Sequence, residues 1–368
     1  MSLKLGIIGS GQLARMMALD SLQMGVQFSF LAEPKEDTRC VQNLGTVVVR
    51  DADHDAAALY LDLGHPDVIT VEKEHVDISL MRGLAEHCPV HPNPNALEKF
   101  KNRLNEKQFL QSLNIPLAPF HSVKNKYDFD LAVAKLNKPV FLKSEENGYD
   151  GYNQWKVTDA NAEEVRTELP FPGDWVAESF IPFEREVSFL AVRSSNGNIN
   201  YYPPVENVHR NGTLLTSTAP ALDISAEQLA LARKYLNDIF LAVDYVGVIC
   251  MECFDWDGKI LVNEIAPRVH NSGHWTTQGA ATSQFENHVR AVLNLTAGST
   301  EINGVSGMLN LLGVTLTAQQ VLDADTSLIL YDKITRPRRK LGHVTVNHPQ
   351  RSVIKARLAA LQKQVYEE

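Results

Sequence analysis

The part of this 368-residue chain that most narrows its fold is a pair of apolar runs, Val246–Phe254 and Lys259–Ile265, joined through Asp257-Gly258. An Asp-Gly step between such runs favours a tight turn with positive φ at both central residues, so the two runs form a hairpin. The turn also fixes the register. Counting outward from it, Glu252 lies opposite Asn263 or Glu264, which makes Glu252 and Glu264 candidate cross-strand neighbours. Two bare carboxylates about 4 Å apart repel by roughly 1–4 kcal/mol, depending on the local dielectric. A hard divalent cation removes that cost, and Asn263 extends an all-oxygen set suited to Mg²⁺ carrying nucleotide phosphates. The alternative is a surface pair bridged by lysines, which the apolar neighbours on both arms disfavour.

Directly after the hairpin, Pro267, Arg268, His270, Asn271, Gly273, His274 and Trp275 crowd a guanidinium, two imidazoles and an amide into a few residues. An Arg fork matches carboxylate, bicarbonate or phosphate geometry. His270 and His274 have a zinc-like spacing, but Gly273 and Pro267 oppose the helix that would align them, so anion handling is the better expectation. Cys250 and Cys253 form a lone Cys-x-x-Cys inside a strand, where residues three apart face opposite sides. Without a second pair it points to neither metal nor redox use.

The N-terminal stretch alternates strands and helices. Leu3–Ile8, Gln27–Ala32, Thr46–Val49 and Val68–Glu72 read as strands, with one helix running on to Leu19 and another to about His87. This rhythm implies a parallel, doubly wound sheet. Gly9-x-Gly11-x-x-Ala14 opens the first helix, and Glu33 ends the next strand where a dinucleotide fold places its ribose acid. The loop therefore suits a nicotinamide dinucleotide, another phosphate, or only a tight turn. Pro92-Asn93-Pro94 is a stop signal. Beyond it come a Lys- and Arg-rich helix over Ala96–Leu113, a strand Pro139–Lys143 and a polar loop Ser144–Gln154. Strands follow at Trp175–Phe180, Glu186–Arg193, Tyr201–Pro204 and Thr213–Ser217, then helices Ser225–Val243 and Gln284–Leu293. A β-rich tail begins near residue 298 and ends in a helix, Val353–Gln364.

Lys143 ahead of Gly148 and Gly151 is a common way to hold ATP phosphates. Glu186 could accept hydrogen bonds from ribose hydroxyls or simply be solvated. Lys333, Arg336, Arg338, Arg339 and Lys340 form a basic cluster, either a solvated face or a site for an anionic substrate. Net charge is −9, which excludes a general nucleic-acid binder. Four cysteines are too few for a disulfide framework and fit a reducing cytoplasm. No apolar run approaches the roughly 20 residues of a membrane span, and the N-terminus lacks a signal-peptide core.

Taken in order, the glycine loop, Lys143, Gly148–Gly151, Glu178–Ile181, Glu186, His209, Met251–Phe254, Asn263–Trp275 and Tyr331–Pro337 resemble one family over nearly the whole chain. It is the ATPase subunit of phosphoribosylaminoimidazole carboxylase, or 5-(carboxyamino)imidazole ribonucleotide synthase, of the ATP-grasp superfamily. The resemblance implies an α/β (α+β overall) chain: a Rossmann-like pre-ATP-grasp domain over 1–95, an ATP-grasp domain over 96–297 with a lid at about 120–182, and a small β-rich domain over 298–368. It implies a homodimer that takes ATP, bicarbonate and aminoimidazole ribonucleotide, with Mg²⁺ or, in its place, Mn²⁺.

By the same resemblance ATP meets Arg103, Lys143, Gly148, Tyr149, Asp150, Gly151, Tyr152, Asn153, Gln154, Glu178, Ser179, Phe180, Ile181, Glu186, His209, Asn263 and Glu264. Glu252 and Glu264 hold the metal. Arg268, His270, Asn271 and Asp150 serve the chemistry, and Gln12, Glu72, Tyr149, Lys333, Arg339 and Lys340 meet the imidazole substrate. The phosphate loop departs from the family pattern: Asn147 replaces a glycine, and Tyr152-Asn153 replaces a basic residue and a glycine. Losing a charge-assisted contact of about 1.5–3 kcal/mol implies a weaker hold on phosphates than a loop carrying Arg.

Overall fold

The computed structural model describes residues 2–51, 54–146, 153–321 and 323–366. Strands β1 (Lys4–Ile8), β2 (Gln27–Ala32), β3 (Thr46–Val49) and β4 (Val68–Val71) form a parallel sheet in the order β3-β2-β1-β4. Leu5 and Ile7 of β1 are fully buried, as expected of a central parallel strand covered on both faces. A short helix, Ala56–Asp62, capped by Asp55, lies between β3 and β4. Its seven residues are too few to show a helical period, and it was not anticipated.

The second sheet contains β5 (Phe120–Val123), β6 (Val140–Ser144), β7 (Gln154–Val157) and β8 (Trp175–Ser179), antiparallel in the order β5-β8-β6-β7. Phe129, Ala132, Leu136 and Val165, from helices Lys126–Leu136 and Ala162–Glu168, pack with Val140 and Leu142 of this sheet.

The third sheet has nine strands: β9 (Arg185–Arg193), β10 (Ile199–Tyr201), β11 (Val205–Arg210), β12 (Thr213–Ala219), β13 (Gly247–Trp256), β14 (Lys259–Ala266), β15 (Val305–Leu312), β16 (Thr326–Leu330) and β17 (Lys340–His348). Their order is β14-β13-β9-β11-β12-β15-β17-β16, with β10 paired to β9. The strands of the β-rich tail thus continue the sheet that carries the hairpin. The β13–β14 register sets Glu252 opposite Glu264, with a bulge just after Glu252. Asp257 and Gly258 have φ of 50° and 70°, the positive values this turn requires. Cys250 and Cys253 fall in different cores, Cys250 beside Trp275 and Cys253 beside Met251.

The helix expected over Ala96–Leu113 is two helices, Pro94–Phe100 and Arg103–Ser112. Asn102 is extended, at φ −111° and ψ 123°, and its side chain accepts from Asn105 N at 3.0 Å. A good N-cap restarts a helix even where apolar spacing runs on across the break. The restart puts Arg103 in the first turn of the new helix, where its N–H donates to Glu145 O at 2.8 Å. No helix among the described residues is long and apolar enough to cross a membrane.

Candidate active site between two sheets

A cleft of about 660 Å³ separates the β5–β8 sheet from the β13–β14 end of the nine-stranded sheet. Phe141, Lys143 and Gln154 line it from one side, and Glu186, His209, Glu252, Asn263 and Glu264 from the other. Arg268, His270 and Asn271 follow the hairpin into the same space, and Arg103 enters from its helix. Gln12 at the start of the helix Gln12–Ser21 and Glu72 just after β4, with Lys333 in the β16–β17 connection and Lys340 at the start of β17, also line it. Residues more than 300 positions apart in sequence therefore share one cavity.

The hairpin supplies the acidic floor. Glu252 pairs with His270 Nε2 at 2.6 Å. The His270 backbone is clamped by Gln284, which accepts from its N–H at 2.9 Å and donates to its carbonyl at 2.6 Å. Burial opposes charge on both partners. It is outweighed at Glu252 by His270, His209 and Lys340, and at His270 by the Cys250 sulfur and Glu252, so the carboxyl is held low and the imidazole high. The contact therefore favours the charged form of each partner.

Glu264 keeps 40% of its side chain exposed and lies 3.6 Å from Arg103 Nη1. Asn263 Oδ1 is buried without a hydrogen-bond partner among the described residues. An orphaned buried acceptor costs about 1–3 kcal/mol. With the facing carboxylates it fits a Mg²⁺ ion, which takes one or two carboxylates and completes its shell with waters and nucleotide phosphates. Among the described residues no three His, Cys, Asp or Glu side chains form a metal cage.

On the β5–β8 side, Glu178 of β8 is 3% exposed and receives both Lys143 and Lys107 at 3.1 Å on a single oxygen, Oε2. Burial would raise its carboxyl, but Lys107, Lys143 and Arg103 outweigh that and hold it at about 2. Burial lowers the Lys143 ammonium despite Glu178. Glu106, one turn into the Arg103–Ser112 helix, is pushed up to about 8 by burial and by Glu264. His209 Nδ1 faces the Glu186 carboxylate, which helps raise the imidazole against burial. Phe183 and Phe254 stack at 4.6 Å, a flat apolar surface of the kind a purine ring covers. Ile181 is buried with Ala118 and Leu261. Ser179 Oγ donates to Leu136 O at 3.2 Å, and Phe180 is 37% exposed beneath Lys156.

Arg268 is engaged by an acid that was not anticipated, Glu74, at 2.6 Å. Asn271 exchanges amide hydrogen bonds of 3.0 and 2.7 Å with Asn310. His274 turns into the core against Phe285, Tyr331 and His343, away from any zinc role with His270.

The glycine loop does not hold a dinucleotide. Glu72 accepts from Gly11 N at 2.5 Å and Ala14 N at 2.9 Å, and Glu36 accepts from Ser10 N at 3.1 Å. The amides that would cradle a pyrophosphate are filled by the chain's own carboxylates. A Cβ at Gly9, where φ is 117°, would lie 2.3 Å from Glu72 Cγ, so the glycine is needed for this close approach. Glu33 lies 3.8 Å from Arg50. Burial raises the Glu72 carboxyl even against its two amide donors.

Lys333 donates to Gln12 Oε1 and lies over the Tyr331 ring, joining the two ends of the chain. Arg339 is turned to Asp37 at 3.4 Å and to Ile334 O at 3.1 Å, outside the cleft lining. Gly148, Tyr149, Asp150, Gly151 and Tyr152 lie outside the described residues, as does Asn147. Asn153 has φ of 53°, and its carbonyl accepts from Ser144 N at 3.1 Å.

Glu74, Glu106 and Lys107 were missed. Glu106, Lys107 and Leu110 are the buried positions of their helix, so charged residues occupy a core-facing stripe.

An antiparallel sheet facing a carboxylate-bearing hairpin across a cleft is the ATP-grasp arrangement, and the ATP-grasp domain model matches residues 108–285. The flanking matches are the ribonucleotide synthetase preATP-grasp domain over 2–100 and the phosphoribosylaminoimidazole carboxylase C-terminal domain over 306–357. The N5-carboxyaminoimidazole ribonucleotide synthase of Pseudomonas aeruginosa is 40% identical over 364 residues, spanning 98% of this chain and 99% of its own. The crystal structure of the Thermus thermophilus synthetase superposes with a TM-score of 0.91 at 39% identity, over 99% of both chains. A synthase from Aspergillus clavatus in complex with ADP and 5-aminoimidazole ribonucleotide gives 0.88 at 28% identity, over 100% of this chain and 99% of that one. The chain belongs to the N5-carboxyaminoimidazole ribonucleotide synthase family.

Proposed function

We propose that the chain joins bicarbonate to the amine of 5-aminoimidazole ribonucleotide at the expense of ATP, giving the N5-carboxylated nucleotide, ADP and phosphate in purine biosynthesis. What supports this most is the placing of Glu252 opposite Glu264 at one end of a cleft whose adjoining wall carries Arg268 and His270. ATP would lie with its base near Phe183 and Phe254, its ribose near Glu186 and its phosphates near Arg103 and Lys143. Glu252, Glu264 and Asn263 would hold Mg²⁺, which when bound offsets charge on the phosphoryl group in transfer.

A bicarbonate oxygen would attack the γ-phosphorus, releasing ADP and leaving carboxyphosphate. Arg268 and the His270 imidazolium would orient that anion through charge-assisted hydrogen bonds. The amine nitrogen would then bond to the carboxyl carbon as its bond to the phosphate oxygen breaks, releasing phosphate and a proton. Carboxyphosphate hydrolyses readily, so exclusion of water from the cleft would favour its capture by the amine. Gln12, Glu72, Lys333 and Lys340 would receive the imidazole nucleotide. A homodimer in the cytoplasm is the expected setting, on family resemblance alone.

ADP release measured with Mg²⁺, bicarbonate and aminoimidazole ribonucleotide, each omitted in turn, tests the reaction. Release that requires all of them is expected. ATP binding without turnover would instead make the chain a nucleotide sensor of the same fold.

A further inference from the structure

Lys107 has no surface and is not among the residues lining the cleft, yet it lies behind the wall that carries Lys143 and the Asn263–Glu264 end of the hairpin. Its side chain is 0% exposed, and it is among the largest fully buried side chains of the protein. A buried ammonium persists only where its partners are well placed, because losing water costs several kcal/mol. Lys107 has two partners on different sheets: Glu178 Oε2 of β8 at 3.1 Å and the Asn263 carbonyl of β14 at 3.3 Å. The same Glu178 oxygen holds Lys143 of β6 at 3.1 Å. Glu178 Oε1 has no hydrogen-bond partner among the described residues, so both cations act on one atom. Lys107 stands one turn after Arg103 on the same helix, and Arg103 faces Glu264. The ammonium therefore spans the seam between the β5–β8 sheet and the hairpin, at the residue preceding Glu264.

We propose that Lys107 is a positioning residue for ATP: by tying Glu178 to the Asn263 carbonyl it sets the distance between the Lys143 ammonium and the Asn263–Glu264 end of the hairpin, without touching the nucleotide. With Lys107 neutral, Glu178 keeps Lys143 as its remaining close partner and draws that ammonium away from the phosphates. The β5–β8 sheet also loses its ionic tie to β14. Both effects fall on ATP and not on the imidazole nucleotide, whose proposed contacts are Gln12, Glu72, Lys333 and Lys340, in the N-terminal unit and around the β16–β17 connection. This role rests on the proposed function, but it can be read from ATP binding alone.

The test compares Lys107→Met, Lys107→Arg and the native chain by calorimetric titration with ATP and Mg²⁺, and by KM for each substrate. Lys107→Met should weaken ATP binding roughly ten- to a hundredfold, the loss of a charge-assisted contact. The KM for aminoimidazole ribonucleotide should stay within about twofold, and Lys107→Arg should recover most of the ATP affinity. If the Met variant does not fold, Lys107→Gln, which keeps a donor for Glu178, carries the same comparison. Native ATP affinity in the variant overturns the proposal. So does an equal loss for every substrate that Arg does not rescue, since that marks a merely structural lysine. Failure of the native chain to turn over would count against the proposed function and leave the ATP titration to decide the role of Lys107.

Discussion

Replacing Glu264 with glutamine is expected to lower turnover by roughly two to three orders of magnitude, the scale of losing one preorganised electrostatic contribution to the transition state, because the metal proposed to offset the transferring charge loses an anionic ligand. The substitution keeps the shape and one acceptor oxygen but removes the charge that would face the cation. Folding should change little. Glu264 is 40% exposed, and its partner Arg103 lies at 3.6 Å, a loose, partly solvated contact worth about 0–1 kcal/mol. A coupled ADP assay beside a thermal melt separates the two effects. A fully active variant would remove Glu264 from the metal site. Glu252→Gln is less clean, because it also strips His270 of the carboxylate it meets at 2.6 Å.

The largest effect on stability should come from Glu178→Gln. Glu178 is 3% exposed, and the glutamine keeps at most one acceptor oxygen but no charge, so Lys107, fully buried, and Lys143, 13% exposed, lose their shared counter-ion. Breaking a buried ion pair from one side costs about 3–5 kcal/mol. The pH dependence has a definite sign. The Glu178 carboxyl is lowered from 4.5 to about 2 in the folded chain, so its contribution is fully present above 4.5 and fades as pH falls toward 2. Unfolding by denaturant should therefore show a wide gap between native chain and variant at neutral pH, narrowing below about pH 4.5. A gap that stays constant down the acid limb would mean that Glu178 is not an ionised anchor. Lys107 and Glu178 thus make separable claims, one read in ATP affinity and the other in acid stability.

Much of this site was legible from local signals. An Asp-Gly turn and two apolar arms were enough to set Glu252 against Asn263 or Glu264, because a hairpin's register is counted from its turn; the bulge after Glu252, which no local signal marks, decides for Glu264. The βαβ rhythm gave the parallel sheet for the same reason: the pattern is local. What escaped notice depends on distant partners. The glycine loop carries a dinucleotide pattern, and only the fold shows that Glu72, 61 residues from Gly11, fills it. Arg268 reads as a free anion site until Glu74 is brought against it across the cleft. The break at Asn102 was masked by apolar spacing that continues from Ala96 to Leu110 while the backbone restarts. Lys107 reads as an ordinary helix-surface lysine until Glu178 and Asn263 enclose it.

On the proposed mechanism, ATP phosphorylates bicarbonate in the cleft between Lys143 and Arg268. Oxygen-labelled bicarbonate tests it most directly. If a bicarbonate oxygen attacks the γ-phosphorus and the carboxyl group then departs from it, the released phosphate must carry one oxygen from bicarbonate. Label in the phosphate, appearing in step with ADP and only when aminoimidazole ribonucleotide is turned over, is the predicted result. Phosphate free of label, formed at the same rate as ADP, would mean that water attacks ATP, and would contradict the account.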